Sequence, residues 1–141
     1  LNTIQECMTT NVETVSSNQS IKEAAAIMSQ SNVGSIPVVD NGQLKGIITD
    51  RDITIRSTSE GRDSDTPVSH VMTTNLVSGH TSMTAAEAAK VMAQHQIRRL
   101  PIVENNQLVG IVALGDLATD QMSDEAAGAA LTNISEPTKT N

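Results

Sequence analysis

The sequence predicts an α/β (α+β) fold: two tandem βαββα repeats packed as one pseudo-two-fold module, with short helical extensions at the N- and C-terminal ends. Three observations carry that prediction. The chain repeats itself at a shift of 64 residues, so that Met8-Thr9-Thr10-Asn11 returns as Met72-Thr73-Thr74-Asn75 and Ile36-Pro37-Val38-Val39 returns as Leu100-Pro101-Ile102-Val103. Each copy carries a helix-capping box, Ser20-Ile21-Lys22-Glu23 and Thr84-Ala85-Ala86-Glu87. Each copy also holds two apolar runs separated by turn residues, Asn41-Gly42 in one and Asn105-Asn106 in the other. A unit of about 48 residues is small for an independent core, so the two copies are expected to share one. Two copies do not make a solenoid.

The elements follow in order. Thr3 to Cys7 reads as a short helical turn, and Val12 to Val15 as a short alternating strand. Behind the Ser20 cap, Ile21, Ala24, Ala25 and Met28 fall at helical spacing and give one buried face, with the helix stopping near Ser31 or Asn32. Ile36–Val39 and Leu44–Ile48 are strands joined at Asn41-Gly42, where both residues accept positive φ. Pro37 and Pro101 are expected at strand starts, where a missing amide costs little. Short helices are expected from about Asp50 to Arg56 and from Leu114 to Gln121. Ser57 to Thr66 is a polar linker; Thr66 then caps a short helix with Pro67 at its first position. These boundaries divide the chain into 1–64, 65–122 and 123–141. In the last part, Ser123-Asp124-Glu125 starts a helix on which Ala126, Ala127, Ala130, Leu131 and Ile134 form a stripe suited to close docking on its own domain or a partner subunit. Residues 135–141 are expected to fray.

Composition narrows the function. A net charge of −7 disfavours non-specific nucleic-acid binding, which needs many phosphates neutralised. There is no Phe, Tyr or Trp, so a bound ring has only aliphatic side chains to lie between. No run of about 18 apolar residues exists, so neither a membrane-spanning helix nor a membrane partner is expected. The N-terminus lacks a basic-then-apolar signal pattern. Cys7 is the single cysteine, which rules out an internal disulfide and points to a reducing, cytoplasmic setting with Cys7 packed or idle. His70, His80 and His95 are isolated, with no zinc spacing, and there is no nucleophile elbow or phosphate loop. The expectation is therefore no enzyme, no metal and no required cofactor.

Two words recur in order in both copies. The first is Val33-Gly34-Ser35-Ile36-Pro37-Val38-Val39-Asp40, matched by Ile97-Arg98-Arg99-Leu100-Pro101-Ile102-Val103-Glu104. The second is Gly46-Ile47-Ile48-Thr49-Asp50-Arg51-Asp52-Ile53, matched by Gly110-Ile111-Val112-Ala113-Leu114-Gly115-Asp116-Leu117. This pattern resembles the CBS domain, and the chain is similar to a stand-alone bacterial CBS-pair protein. The resemblance implies two units packed sheet to sheet and a homodimer of such modules. It implies a regulatory role toward an unknown protein partner. It also implies an adenosine-containing ligand in the clefts between repeats, with AMP, ADP or ATP as candidates.

Thr49 and Asp52 are the sharpest candidates. Read by themselves, Thr49 or Asp50 caps a helix and Asp52 favours its dipole. Through the resemblance, Asp52 becomes the ribose contact and Thr49 the phosphate contact. Arg51, Gly34 and Ser35 lie at the same expected site. The resemblance implies that the opposite wall comes from Met72 to Val77, including Leu76 and Val77. The second copy keeps Asp116 but has Ala113 in place of the hydroxyl and Gly115 in place of Arg51. Arg98 and Arg99 either compensate by binding phosphate or end a solvated strand or pair with acidic groups. By the same resemblance, Met8 to Glu13, Val12 among them, are expected to face Asp116. Ile47, Ile111, Val33 and Ile97 are candidates to hold the base. Arg56 and Arg62 are assigned either to the cleft ends or to solvation of the linker. A ligand-free dimeric scaffold for protein interaction is the alternative function.

Overall fold

Capping boxes start both long helices of the computed structural model, which describes residues 3–119. In α1 (Ile21–Ser31) the Ser20 hydroxyl oxygen accepts the Glu23 amide at 3.1 Å and the Glu23 carboxylate accepts the Ser20 amide at 3.3 Å. Thr84 and Glu87 repeat the arrangement at α3 (Ala85–His95). Both helices also end alike. Asn32 and Gln96 turn left-handed, with φ of 55° and 53°. The following amides then reach back from Val33 to the Met28 carbonyl and from Ile97 to the Met92 carbonyl, each at 3.0 Å. Ile21, Ala24 and Met28 form the buried stripe of α1. Ala25, expected on that face, is exposed: the apolar contact follows the i, i+3, i+7 line and leaves i+4 at its edge.

In the first repeat, β1 (Ser35–Asp40) pairs antiparallel with β2 (Gln43–Thr49), in register from Ser35 opposite Thr49 to Asp40 opposite Gln43. Lys45 is an extra residue that shifts this register between Val38 and Val39. Asn41 and Gly42 make the two-residue turn with φ of 54° and 82°. In the second repeat, β3 (Arg99–Glu104) neighbours β4 (Gln107–Ala113), and Asn105 and Asn106 turn with φ of 52° and 66°.

The prolines sit third in their strands, not first. They are tolerated because a parallel bridge uses only the groups they possess. Val15 donates to the Pro37 carbonyl at 3.1 Å and accepts from the Val39 amide at 2.8 Å. Gly79 does the same with Pro101 and Val103 at 2.8 and 2.9 Å. The strand expected over Val12 to Val15 is reduced to this single bridge at Val15. Pro67 likewise occupies the cap position of a one-turn helix, Val68–His70, because its ψ of 144° is extended. The Thr66 hydroxyl, expected to cap that turn, instead donates backward to the Asp63 carbonyl at 2.7 Å.

Two short helices follow the second strand of each pair, α2 (Asp50–Arg56) and α4 (Leu114–Thr119). The expected end of α4 at Gln121, the helix from Ser123 and the tail from Ser135 lie outside the described residues.

The described residues gather into two compact units. One holds Glu13–Leu76 with Asn106–Leu108; the other holds the chain up to Val12, Val77–Asn105 and the chain from Val109 on. The buried apolar residues correspondingly form two clusters, where one shared core was expected. Each repeat is completed by the lead-in of the other copy. Val68 and Val71 are fully buried with Val15, Met28, Ile36, Val38 and Ile48 of the first repeat. Ile4 is fully buried with Met92, Leu100, Ile102, Val112 and Leu117 of the second. That exchange supplies the apolar area that about 48 residues lack.

Candidate functional site

The first repeat concentrates polar groups where β2 runs into α2 without a loop. Thr49 ends the strand and caps the helix: its hydroxyl oxygen accepts the Asp52 amide at 2.9 Å, and Asp52 Oδ2 accepts the Thr49 amide at 3.1 Å. The box closes with Asp where α1 uses Glu, so the shorter side chain is drawn against the backbone. Asp52 is only 8% exposed. A carboxylate held this deep needs partners, because burying an unpaired charge is costly.

A partner arrives on the lead-in to the second copy. Thr73 and Ile47 exchange both backbone hydrogen bonds, at 2.8 and 2.9 Å. Gly46 permits this approach: a Cβ there would lie 2.7 Å from Met72 Sδ and 2.9 Å from the Thr73 carbonyl oxygen. The Thr73 hydroxyl is thereby placed 3.2 Å from Asp52 Oδ1 and 3.3 Å from Oδ2. Arg56, one turn along α2, brings its Nε to 4.0 Å from Asp52 Oδ1 and donates from Nη1 to the Met72 carbonyl at 3.1 Å. Gly34 and Ser35 border the same junction, since the Gly34 carbonyl accepts the Asp50 amide at 3.0 Å and Ser35 faces Thr49 across the strands.

Of the residues singled out in the first repeat, the structure thus brings Gly34, Ser35, Ile47, Thr49 and Asp52 together. Arg51 is exposed on α2, and Leu76 is half-buried beyond Thr73. Val33 packs against the core of its own unit. The sequence does not single out Thr73, and it leaves Arg56 between two readings. Thr73 lay unsingled within the stretch from Met72 to Val77. Arg56 was assigned to cleft ends or to linker solvation, whereas its guanidinium holds a main-chain carbonyl. Arg62 does stay with the linker, 3.7 Å from Glu60. A signal for Thr73 was present: its repeat mate is Thr9, and both precede a glycine-containing strand at the same spacing.

The second repeat keeps the scaffold and changes the chemistry. Thr9 exchanges backbone hydrogen bonds with Ile111 at 2.8 and 2.9 Å over Gly110, and the Arg98 carbonyl accepts the Leu114 amide at 2.9 Å. Ala113 supplies no hydroxyl to cap α4. Asp116 is half-buried and makes no side-chain hydrogen bond or ion pair among the described residues. Arg98 is exposed; Arg99 is half-buried, and that burial lowers its guanidinium pKa below the ordinary value. Ile111 is buried, Ile97 and Val77 pack against the core of their unit, and Val12 is half-buried.

Among the described residues no three His, Cys, Asp or Glu side chains group as a metal site. No helix among them is long and apolar enough to cross a membrane.

A doubled strand–helix junction, each completed by a lead-in strand, defines a tandem regulatory ligand-binding module. The CBS domain matches residues 4–57 and 68–122, and the chain belongs to the CBS-domain family. It is 63% identical to the CBS domain-containing protein YhcV of Bacillus subtilis, over 96% of each chain. Among solved structures it is similar to Hypoxic Response Protein I with two coordinated zinc ions: 30% identical, TM-score 0.76, covering 84% of this chain and 98% of that one. It is also similar to the CBS-domain pair of protein MJ0100, in complex with 5′-methylthioadenosine and S-adenosylmethionine: 28% identical, TM-score 0.73, covering 86% and 96%.

Proposed function

We propose that the chain is a cytoplasmic sensor that binds an adenosine-containing ligand of the AMP, ADP or ATP class at the junction of β2 and α2. Asp52 carries the proposal. It is a buried carboxylate, an acceptor through both oxygens, suited to the two hydroxyls of a ribose. The Thr49 oxygen already accepts a backbone amide, so its proton is free to donate to a phosphate oxygen, with exposed Arg51 as a second phosphate contact. Ile47 and Leu76 offer aliphatic surface for the base in a chain without aromatic residues. The complex of the MJ0100 pair with two adenosine derivatives supports the ligand class. The corresponding residues of the second repeat, Asp116, Arg98 and Arg99, make an unequal site that lacks the hydroxyl. Occupancy is transmitted to a protein partner, by a homodimer, only to the extent that the ligand binds two states of the module unequally.

Titration calorimetry with AMP, ADP and ATP tests this reading. Asp52→Ala is expected to weaken binding about 10- to 150-fold, the loss of a hydrogen bond to a charged group. A variant that binds like the parent removes the ribose assignment. The second reading is a ligand-free dimeric scaffold. One observation favours it: Asp52 is already held by Thr49 and Thr73, as a purely structural carboxylate is. Under that reading no nucleotide binds, and Asp52→Ala lowers stability alone.

A further inference from the structure

We infer that the Thr73 hydroxyl is a built-in competitor for the ligand's ribose, and so sets the affinity of the site. The inference rests on the ribose role proposed for Asp52 and adds how that role is regulated.

A carboxylate offers about four lone-pair directions, two on each oxygen. On Asp52, Oδ2 accepts the Thr49 amide at 3.1 Å, and this bond belongs to the cap of α2. The Thr73 hydroxyl bridges the two oxygens at 3.2 and 3.3 Å. Arg56 Nε lies 4.0 Å away on the Oδ1 side. A vicinal diol binding in the bidentate manner needs one direction on each oxygen, along the edge that Thr73 spans. The diol and the Thr73 hydroxyl therefore cannot both be satisfied by Asp52.

The exchange is local. The Thr73 backbone is clamped to Ile47 by two hydrogen bonds, and the Met72 carbonyl is held by Arg56. Only the Thr73 side chain has to rotate away, with the strand remaining in place. Ligand affinity is then reduced by the free energy of the Thr73–Asp52 contact, as for any site whose competent form is partly withheld. A ligand with one sugar hydroxyl at that edge needs only one carboxylate oxygen and escapes most of the competition. The second repeat places an exposed Thr9 at the matching backbone bridge, and Asp116 there makes no such hydrogen bond among the described residues. The device belongs to the first repeat.

The test compares the full chain with Thr73→Val, which removes the hydroxyl and keeps the shape, and with Thr73→Ser, which keeps the hydroxyl. The probes are AMP and 2′-deoxy-AMP by titration calorimetry. Thr73→Val is expected to bind AMP about 2- to 10-fold more tightly, the weight of one net hydrogen bond. It should leave 2′-deoxy-AMP within about 2-fold of the parent, and Thr73→Ser should match the parent on both. Weaker AMP binding by Thr73→Val, or equal tightening toward both nucleotides, overturns the competition. So does a parent-like Thr73→Val. Unchanged far-ultraviolet circular dichroism and urea midpoint of Thr73→Ser guard against reading a folding defect as an affinity change. A parent that binds no AMP removes the ribose assignment itself, before any variant is compared.

Discussion

Replacing Gly46 by alanine loads the contact on which the candidate site is built. The added Cβ would stand 2.7 Å from Met72 Sδ, 3.1 Å from Met72 Cγ and 2.9 Å from the Thr73 carbonyl oxygen. The methionine end can swing, but the carbonyl is main chain and is the acceptor for the Ile47 amide at 2.9 Å. Relief therefore requires the lead-in strand to lift from β2. Overpacking of this kind costs about 1–3 kcal/mol. Weakening the two reciprocal Ile47–Thr73 hydrogen bonds adds about 0.5–1.5 kcal/mol each. The expected loss is about 2–6 kcal/mol, a large share of the roughly 5–15 kcal/mol that stabilises a domain. With a urea m-value of about 2 kcal/mol/M, the midpoint should fall by about 1–3 M. Far-ultraviolet circular dichroism is the readout, because the chain has no aromatic fluorophore. Gly115→Ala is the control: its Cβ meets nothing within 4 Å, and alanine in α4 should hold or raise stability by up to about 1 kcal/mol. A Gly46→Ala midpoint within experimental error of the parent refutes the argument that this glycine exists for close approach.

Two other predictions concern the repeated helices and turns. Gln96 ends α3 at φ 53°, a conformation that only glycine and asparagine adopt cheaply, so Gln96→Gly should raise stability by about 1 kcal/mol in urea melts. Asn32→Gly, at the matching position of α1, should gain less. Acid should destabilise the fold through four carboxylates whose pKa values lie below the ordinary ones. The Gln19 side chain and then Ser20 lower Glu23; the Ser17 hydroxyl and amide lower Asp40; the Thr84 amide and hydroxyl lower Glu87; the Thr81 hydroxyl and amide lower Glu104. Depressed carboxylates stabilise fully above the unfolded values of 4.5 for Glu and 3.8 for Asp, and that contribution is lost as pH falls through the lower folded values. Urea midpoints should be flat above about pH 5 and fall below it, with Asp40→Asn and Glu104→Gln each shallower; a midpoint independent of pH down to 3 contradicts this assignment.

Local signals are legible in the sequence where the physics is local. Ser20 and Thr84 sit three residues before glutamates and start helices, because capping is settled within one turn. Asn41-Gly42 turns a hairpin because its φ values are a property of those two residues. The place of Pro37, third in its strand, is not legible for the opposite reason. Its lack of an amide matters only against a particular neighbour, and the parallel bridge from Val15 asks it for a carbonyl alone. The same holds for Arg56, whose partner, Met72, lies sixteen positions away.

The amino-acid order by itself determined the repeat and the capped helices and hairpin turns within each copy, since each depends on residues within reach of a single turn or hairpin; it left Thr49 and Asp50 as alternative caps of α2, and the structure chose Thr49, closed by Asp52. Which lead-in completes which repeat follows from the family resemblance and not from the residues themselves, and the tertiary structure supplies the contacts, Thr73 on Ile47 and Thr9 on Ile111. Only the fold could seat Thr73 on Asp52 and Arg56 on the Met72 carbonyl, and leave Asp116 without such partners among the described residues. The physical reason is that a strand bridge carries no sequence code for its mate: its backbone bonds suit any chain brought near, and the space above Gly46 and Gly110 selects the visitor.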